Sequence, residues 1–333
     1  MIQNRSEIVF LYDVKDVNPN GDPMDENKPR IDEETGINIV TDVRLKRTVR
    51  DYLYNFKKEK VGDIFVREIE YEAGKIQDAK LRAEDFLIKD GKKLDKKKDV
   101  KTLSEMKDII TQNILNQCID VRLFGGTLPI EKSEKEKTAI TLTGPVQFRM
   151  GRSLHQVEII HIKGTGAFAS EPGKEQRTFR DEYILPYSLI CFYGVINENA
   201  SKYTRLTEDD VKLLLEGLWN GTKNLISRSK VGQMPRLLLR IIYKEENYHI
   251  GDLDKKIAFK PETSVEKIRN LDDFKLEITN LLKTITEHKD KIAQIEFQMD
   301  HSLHLTKNGQ IITSDELKQL LEKDFKVIGL HIQ

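Results

Sequence analysis

Residues 7–14 (EIVFLYDV) constrain the fold most strongly, because this segment is short, apolar and rich in β-branched and aromatic residues. Such a run is typical of a strand that is buried on both faces, so we predict a strand near the middle of a sheet. Two prolines and a glycine among Asn and Asp residues follow at 18–23. They predict a long loop without regular structure up to Gly36, and loops of that length are usually functional or disordered.

The order of the later elements indicates a fold class. Apolar residues recur at helical spacing over 43–56, after a cap at Thr41 or Asp42, and a capping-box pattern at 207–210 begins another helix. Strands are predicted at 141–150, 156–162, 183–196 and 234–243. Without its insertions the chain runs strand, helix, strand, strand, helix, strand, which is the order of the split βαβ or ferredoxin-like fold. We therefore predict an α+β fold.

Three further segments lie outside this pattern. Residues 57–100 are strongly charged and, with a helix at about 102–118, form a predicted peripheral insertion. Residues 163–174 carry three glycines and a proline between two strands, which predicts a flexible flap. Over 250–333 we predict a helix at about 264–288, a strand at 291–298, a turn at Asn308-Gly309, a helix capped at Thr313 and Glu316, and a strand at 327–332.

Composition excludes several classes of protein. The 333 residues include 55 Lys and Arg and 55 Asp and Glu, so polyanion binding requires local cationic patches. Cys118 and Cys191 are too far apart for a zinc ribbon or a disulfide scaffold, and with no signal-peptide or membrane-span pattern they suggest a soluble, cytoplasmic protein. No HExxH, GxSxG or Walker motif is present, so we expect no cofactor, no metal and no histidine base.

Two cationic segments are candidates for binding a phosphate backbone. The helix at 42–50 carries Arg44, Lys46, Arg47 and Arg50 against two aspartates, and a solvated amphipathic face is the alternative explanation. The loop 227–230 (SRSK), with Arg236, combines small residues, hydroxyls and cations. An ordinary connection between a helix and a strand explains that loop equally well.

The first long loop is acidic. Asp16, Asp22, Asp25 and Asp32 could hold a divalent ion for phosphodiester cleavage. Asn and Asp also satisfy their own backbone in tight turns, and we favour this structural explanation.

A set of motifs carries a resemblance that no single piece would. They are NPNGDP (18–23), PRID (29–32), VTDVRLKR (40–47), DVRLFGG (120–126), TGPVQF (143–148), RSK (228–230) and PRLL (235–238). Over roughly residues 6–243 the chain resembles the backbone subunit of type I CRISPR surveillance complexes (Cascade), the seventh CRISPR-associated family of the RAMP superfamily. Within that family it is most similar to the type I-B branch.

The resemblance implies an RRM/ferredoxin-like palm (1–56 plus 120–250), a helical insertion (57–119), a thumb hairpin within the palm (163–182) and a C-terminal α/β extension packing on the palm (251–333). It also implies a non-catalytic subunit whose copies assemble head to tail along CRISPR guide RNA, beside other Cascade subunits, with target DNA recognised by guide pairing. The expected RNA-binding residues are Asn18, Asn20, Arg44, Lys46, Arg47, Arg50, Arg149, Arg152, Ser227, Arg228, Ser229 and Lys230. The expected thumb residues are Lys163, Gly164, Thr165, Gly166, Phe168, Arg177 and Arg180.

Two alternatives stay open. Backbone subunits of the related type III complexes cleave RNA with an aspartate in the loop after the first strand, so Asp22 or Asp25 could serve a metal-dependent ribonuclease. A monomeric RRM-like RNA-binding module is the other alternative, although the sequence lacks the aromatic RNP signature.

Overall fold

The structure is a computed structural model that describes residues 1–169 and 177–332. In chain order its strands are β1 (Ser6–Val17), β2 (Gly21–Asp22), β3 (Lys28–Pro29), β4 (Ile31–Asp32), β5 (Ile37–Val40), β6 (Glu70–Glu72), β7 (Lys75–Ile76), β8 (Ile88–Lys89), β9 (Lys92–Lys93), β10 (Gly125–Ser133), β11 (Glu136–Thr143), β12 (Val146–Phe148), β13 (Gly151–Gln156), β14 (Ile160–Ala169), β15 (Arg177–Ile196), β16 (Gln233–Tyr243), β17 (Ala258–Pro261), β18 (Phe274–Glu277), β19 (Ile292–Met299), β20 (Leu305–Lys307), β21 (Gln310–Ile312) and β22 (Val327–Gly329). Its α-helices are α1 (Asp42–Phe56), α2 (Lys58–Val61), α3 (Ala79–Glu84), α4 (Leu103–Gln117), α5 (Ile119–Phe124), α6 (Glu198–Thr204), α7 (Glu208–Lys223), α8 (Thr279–Glu287) and α9 (Ser314–Glu322). None of the described helices is both long and apolar enough to cross a membrane.

Strand β1 runs through the middle of the largest sheet, whose order is β22-β19-β16-β1-β15-β13-β5-β4. It pairs antiparallel with β15 on one side and with β16 on the other, and its first nine residues are buried. The predicted central strand is therefore confirmed. Taken in chain order, β1, β13, β15 and β16 lie in the spatial order 4-1-3-2.

Helices α1 and α7 cover one face of this sheet. Alternate β1 residues, including Phe10 and Tyr12, pack with α1 residues such as Leu45 and with Leu214 of α7 in one apolar cluster. Each helix begins at a predicted cap, because the Thr41 side chain accepts from the backbone of α1 and Thr207 forms a capping box with α7. The two caps fix where both helices start against the sheet.

The C-terminal segment covers the other face and also extends the sheet. The intervening β1 residues, such as Val9 and Leu11, share a second apolar cluster with Phe274 and Leu276, while β19 pairs antiparallel with β16. The helix predicted at 264–288 is wrong over most of its length, since only α8 is α-helical there and 274–277 form β18. Buried Phe274 and Leu276 alternate with partly exposed residues, and this period of two belongs to a strand.

The segment after α1 has an apolar core of its own, which extends beyond residue 119 to Leu128, Ile130 and Ile140 in the β10–β11 hairpin. Polar contacts join it to α1 and α7. Arg122 of α5 makes two hydrogen bonds to Asp210 of α7, at 2.7 and 3.1 Å. The fully buried Asp120 pairs with Arg50 of α1 at 3.0 Å.

Two predicted strands and one predicted loop differ from the structure. The strand predicted at 141–150 is broken between β11 and β12 at Gly144-Pro145, because Pro145 has no N–H to pair and Gly144 lies against Phe124, where a Cβ would approach within 2.1 Å. The one predicted at 156–162 is divided between the end of β13 and the start of β14. The loop after β1 is not irregular throughout, since β2 pairs with β3 and β4 pairs with β5.

Candidate nucleic-acid interface

The loop after β1 is shaped by its own Asn and Asp side chains. Asn20 Oδ1 accepts hydrogen bonds from the Thr41 backbone N–H and hydroxyl, at 2.8 and 2.9 Å, and so ties the loop to the start of α1. Asn18 Nδ2 donates to the Asn27 carbonyl at 2.6 Å. The Asp22 carboxylate accepts from the Met24 N–H at 3.0 Å. These bonds hold the loop next to the N-terminus of α1.

Two of the four aspartates that were metal candidates are engaged in local ion pairs. Asp22 also pairs with Arg30 at 2.7 Å, and Asp25 pairs with Lys28 at 2.7 Å. Arg30 holds Asp22 through a charged hydrogen bond, which is stronger than a bond between neutral groups. The structural explanation of this acidic loop therefore fits the geometry.

The four cations of α1 differ in how they are neutralised. Three of them form ion pairs: Lys46 with Asp42 at 2.9 Å, Arg47 with Asp51 at 2.7 Å, and Arg50 with Asp120 at 3.0 Å. Arg44 forms no ion pair within the described part of the chain and donates to the Thr48 hydroxyl at 3.2 Å. Burial lowers the pKa of Arg44 below its ordinary value.

Lys230 lies within electrostatic range of Arg44, and these two cations come from the predicted segments 42–50 and 227–230. Its Nζ donates to the Asn18 carbonyl, and the Asn18 N–H donates to the Ser229 carbonyl at 3.1 Å. Burial, reinforced by the positive charge of Arg44, lowers the pKa of Lys230 to about 8. No carboxylate in the described residues pairs with either cation. Two half-buried charges of one sign are costly together unless an anion joins them.

Buried polar atoms without partners occur in the first loop, in α1 and at the start of β16. Four of those found in the described residues are Asn18 Oδ1, Arg30 Nε, Arg44 Nε and Gln233 Nε2. Gln233 pairs with Val14 across the sheet and so shares the face of β1 on which Tyr12 also lies. The three N–H groups can donate to a phosphate oxygen, and Asn18 Oδ1 can accept a hydrogen bond from a ribose hydroxyl or from water.

Sequence reasoning did not select Arg30 or Gln233. A signal existed for Arg30, which stands in the PRID motif at 29–32. The sequence contains no comparable signal for Gln233, because a single glutamine before a buried strand does not indicate a site. Its position becomes informative only when the sheet places it beside Val14.

The structure places the other predicted RNA-binding residues in different surroundings. Arg228 pairs with Glu182 of β15 at 3.3 Å. The Ser227 carbonyl accepts from the Lys230 and Val231 N–H groups and so closes a turn. Arg149 pairs with Asp252 and Asp254 of the C-terminal segment, and Arg152 pairs with Asp32.

The base of the predicted thumb rests on the first loop. The Tyr183 hydroxyl donates to Glu26 at 2.8 Å, and the Tyr183 ring stacks on His161 at 4.5 Å. Lys163 and Gly164 lie on β14, opposite residues 181 and 180 of β15. The side chains of Thr165, Phe168, Arg177 and Arg180, the surroundings of Gly166, and all of residues 170–176 lie outside the described part.

Comparison with known proteins places this geometry in a class and then in a family. A solved chain described as "CRISPR RNA-guided surveillance complex, pre-nicking" matches with a TM-score of 0.51 and 12% identity, covering 91% of this chain and 96% of its own length, so the two share a mixed α/β fold with a large sheet. The CRISPR-associated protein Cas7 of Haloferax volcanii is 34% identical over 328 residues, which cover 94% of this chain and 92% of that protein. A family model described as "CRISPR-associated protein Cas7" matches residues 4–279. The chain belongs to this family, and the predicted family is confirmed.

Proposed function

We propose that this chain is a non-catalytic, guide-RNA-binding backbone subunit of a type I-B CRISPR surveillance complex. The observation that carries the proposal is the Arg44–Lys230 pair, two half-buried cations within electrostatic range of each other and without a carboxylate partner in the described residues. A phosphate of the guide supplies the missing negative charge. Membership of the Cas7 family and the fold shared with a chain of an RNA-guided surveillance complex support the same class of complex.

The chemistry of the pair suits backbone recognition. Phosphate contacts give affinity and register without reading sequence, and in guided complexes base pairing supplies the sequence specificity. A subunit of this kind therefore needs repeated cationic contacts rather than base-specific hydrogen bonds. Target DNA is recognised by guide pairing, and the remaining Cascade subunits complete the complex.

The decisive experiment measures single-stranded RNA affinity against salt concentration for the double variant Arg44→Gln/Lys230→Gln. We expect weaker binding and a log–log salt slope that falls by about 0.7 for each phosphate that the variant no longer neutralises. The matched control is Lys283→Gln/Lys318→Gln, which removes two partly or fully exposed lysines from the C-terminal helices α8 and α9. An unchanged slope in the double variant would show that the pair does not bind phosphate.

The same proposal includes the more detailed predictions made from the sequence, which concern the palm, the thumb, the location and the remaining RNA-binding residues. The spatial order 4-1-3-2 of β1, β13, β15 and β16 supports an RRM/ferredoxin-like palm. The three apolar clusters support its division into a palm, an insertion after α1 and a C-terminal extension. We further propose a cytoplasmic location, a thumb at 163–182, and RNA contacts by the remaining predicted residues, including Arg149 and Arg152 once their ion pairs open.

A ribonuclease of the same fold is the second candidate, and one assay separates it from the proposed function. Magnesium-dependent cutting of bound RNA that disappears in Asp22→Asn or Asp25→Asn would establish catalysis. We expect no cutting by the parent chain, because Arg30 and Lys28 already hold these carboxylates.

A further inference from the structure

Two adjoining cavities follow the outer side of α1. One, of 470 Å³, lies between α1 and residues 224–226, and the other, of 530 Å³, lies between α1 and the start of β10. Arg47, Arg67 and Glu68 line both. We call the two together the α1 groove. Its walls come from the palm helices, from the insertion and from the loop that continues to Lys230.

The rim of the α1 groove is apolar and exposed. Phe56 and Ile226 line the first cavity with 59% and 72% of their surface exposed, and Val66 and Ile76 line the second with 48% and 57% exposed. Single exposed apolar residues are common, but several collected around one groove mark a binding surface.

Flat guanidinium groups line the groove without adding much net charge. Arg67 donates through Nε to Asp63 at 2.9 Å and lies 4.9 Å from the Tyr54 ring centroid. Arg47 donates a hydrogen bond through its Nε to the Asp51 carboxylate. Because carboxylates hold the edges of these groups, the planar faces of Arg47 and the face of Arg67 that is turned away from Tyr54 remain for stacking. Such a lining favours a flat, uncharged group over a phosphate.

The groove also offers one unused polar atom. Gln77 lines the second cavity, and its Oε1 has no hydrogen-bond partner among the described residues. This oxygen is buried, so the Gln77 side chain must turn toward the cavity before Oε1 can accept a hydrogen bond from a bound group. A guanidinium platform, an apolar rim and a free acceptor are the features that hold unstacked bases in single-stranded RNA sites.

We propose that the α1 groove binds bases of the single-stranded RNA whose backbone contacts Arg44 and Lys230; this rests on the proposed function. Arg47 follows Arg44 by three residues, a rise of about 4.5 Å, which is within reach of a neighbouring nucleotide. Ile226 begins the short loop that ends at Lys230, so the groove and the cation pair are continuous on that side as well.

The test is Phe56→Ser/Ile226→Ser, which changes only exposed side chains of the rim. Binding is measured with an oligouridine that carries one 2-aminopurine, over a range of salt concentrations. We expect affinity to fall about tenfold with an unchanged salt slope, and the 2-aminopurine signal of the bound RNA to change. The control Tyr203→Ser/Ile311→Ser removes side chains that are 74% and 57% exposed and do not line the groove, and it should bind like the parent.

Each contrary result has a distinct meaning. Parent-like affinity of Phe56→Ser/Ile226→Ser, while Arg44→Gln/Lys230→Gln still lowers the salt slope, overturns the groove proposal alone. A reduced slope in the rim variant would mean that the groove holds phosphate rather than bases. Unchanged RNA affinity with a smaller particle mass would assign the groove to an apolar protein segment. Absence of RNA binding by the parent overturns both proposals.

Discussion

Lys230 is half-buried, and its pKa is lowered as it would be for a lysine in a protein interior. Burial and the nearby charge of Arg44 lower its pKa to about 8, and its Nζ has the Asn18 carbonyl as a hydrogen-bond acceptor. A neutral lysine offers a phosphate no charge. Bound phosphate favours the protonated form, so RNA binding raises the pKa of this group and takes up a proton above pH 8.

RNA affinity should therefore depend on pH in a particular direction. The pKa of Lys230 in the free protein lies at about 8, below the ordinary value of 10.5, so its charge disappears as the pH rises from about 7 to about 9. We expect affinity to fall about tenfold between about pH 7 and about pH 9, as expected for linkage to one proton. Isothermal titration at both values checks this. Lys230→Gln should bind weakly with a flat profile over the same range, and a parent profile equally flat would contradict the assignment.

Among the elements, α1 depends on Asp120 for its contact with the insertion. Asp120 is fully buried and accepts from Arg50 Nε at 3.0 Å and from the backbone N–H groups of Phe65 and Val66 at 2.8 and 3.1 Å. Asp120→Asn removes the charge that Arg50 meets, and we expect a loss of about 3 kcal/mol in the free energy of unfolding by urea. The control Asp51→Asn breaks only the exposed pair with Arg47, which contributes about 0.5 kcal/mol or less. Equal losses would contradict the role of Asp120.

The β10–β11 hairpin depends on the glycine at which it starts. Gly125 has φ +67°, and a Cβ there would lie 2.1 Å from the Leu142 carbonyl oxygen. Gly74 has φ +74° and nothing within 4 Å, so Gly74→Ala measures the backbone strain without the clash. We expect Gly125→Ala to cost about 2 kcal/mol or more beyond that control in urea unfolding. A difference near zero would mean that the hairpin moves aside freely.

Element types were predictable wherever local chemistry decided them. The caps at Thr41, Thr207 and Thr313 begin α1, α7 and α9, and the apolar run at 7–14 lies within the central strand. Prediction failed at 264–288, where strand β18 and short 3₁₀ turns precede α8. Burial of Phe274 and Leu276 against the sheet decides that structure, and a single sequence does not display this tertiary contact.

At the scale of the whole molecule, the sequence located cationic segments but not which of their charges are free. All four cations of α1 were expected at the RNA, yet three of them face aspartates, and one of those partners, Asp120, lies in another element. Lys230 comes within electrostatic range of Arg44 in a fold where the first loop holds Asn18 against residues 229 and 230. The unpaired site is thus a product of the tertiary fold, while the local segments that form it were visible in the sequence.

Assembly is the last property that the proposal predicts. Copies that bind one guide in a common orientation meet through two different surfaces, and such heterologous contacts extend along the RNA instead of closing into a dimer. Light scattering of the purified chain with single-stranded RNAs of increasing length should therefore show a mass that rises in steps. The steps should collapse at high salt, because each added copy depends on phosphate contacts such as those of Arg44 and Lys230. Arg44→Gln/Lys230→Gln should shift that collapse to lower salt, whereas Lys283→Gln/Lys318→Gln should not. A constant one-to-one complex at every RNA length would instead identify a monomeric RNA-binding module, since such a module gains no neighbour as the RNA grows.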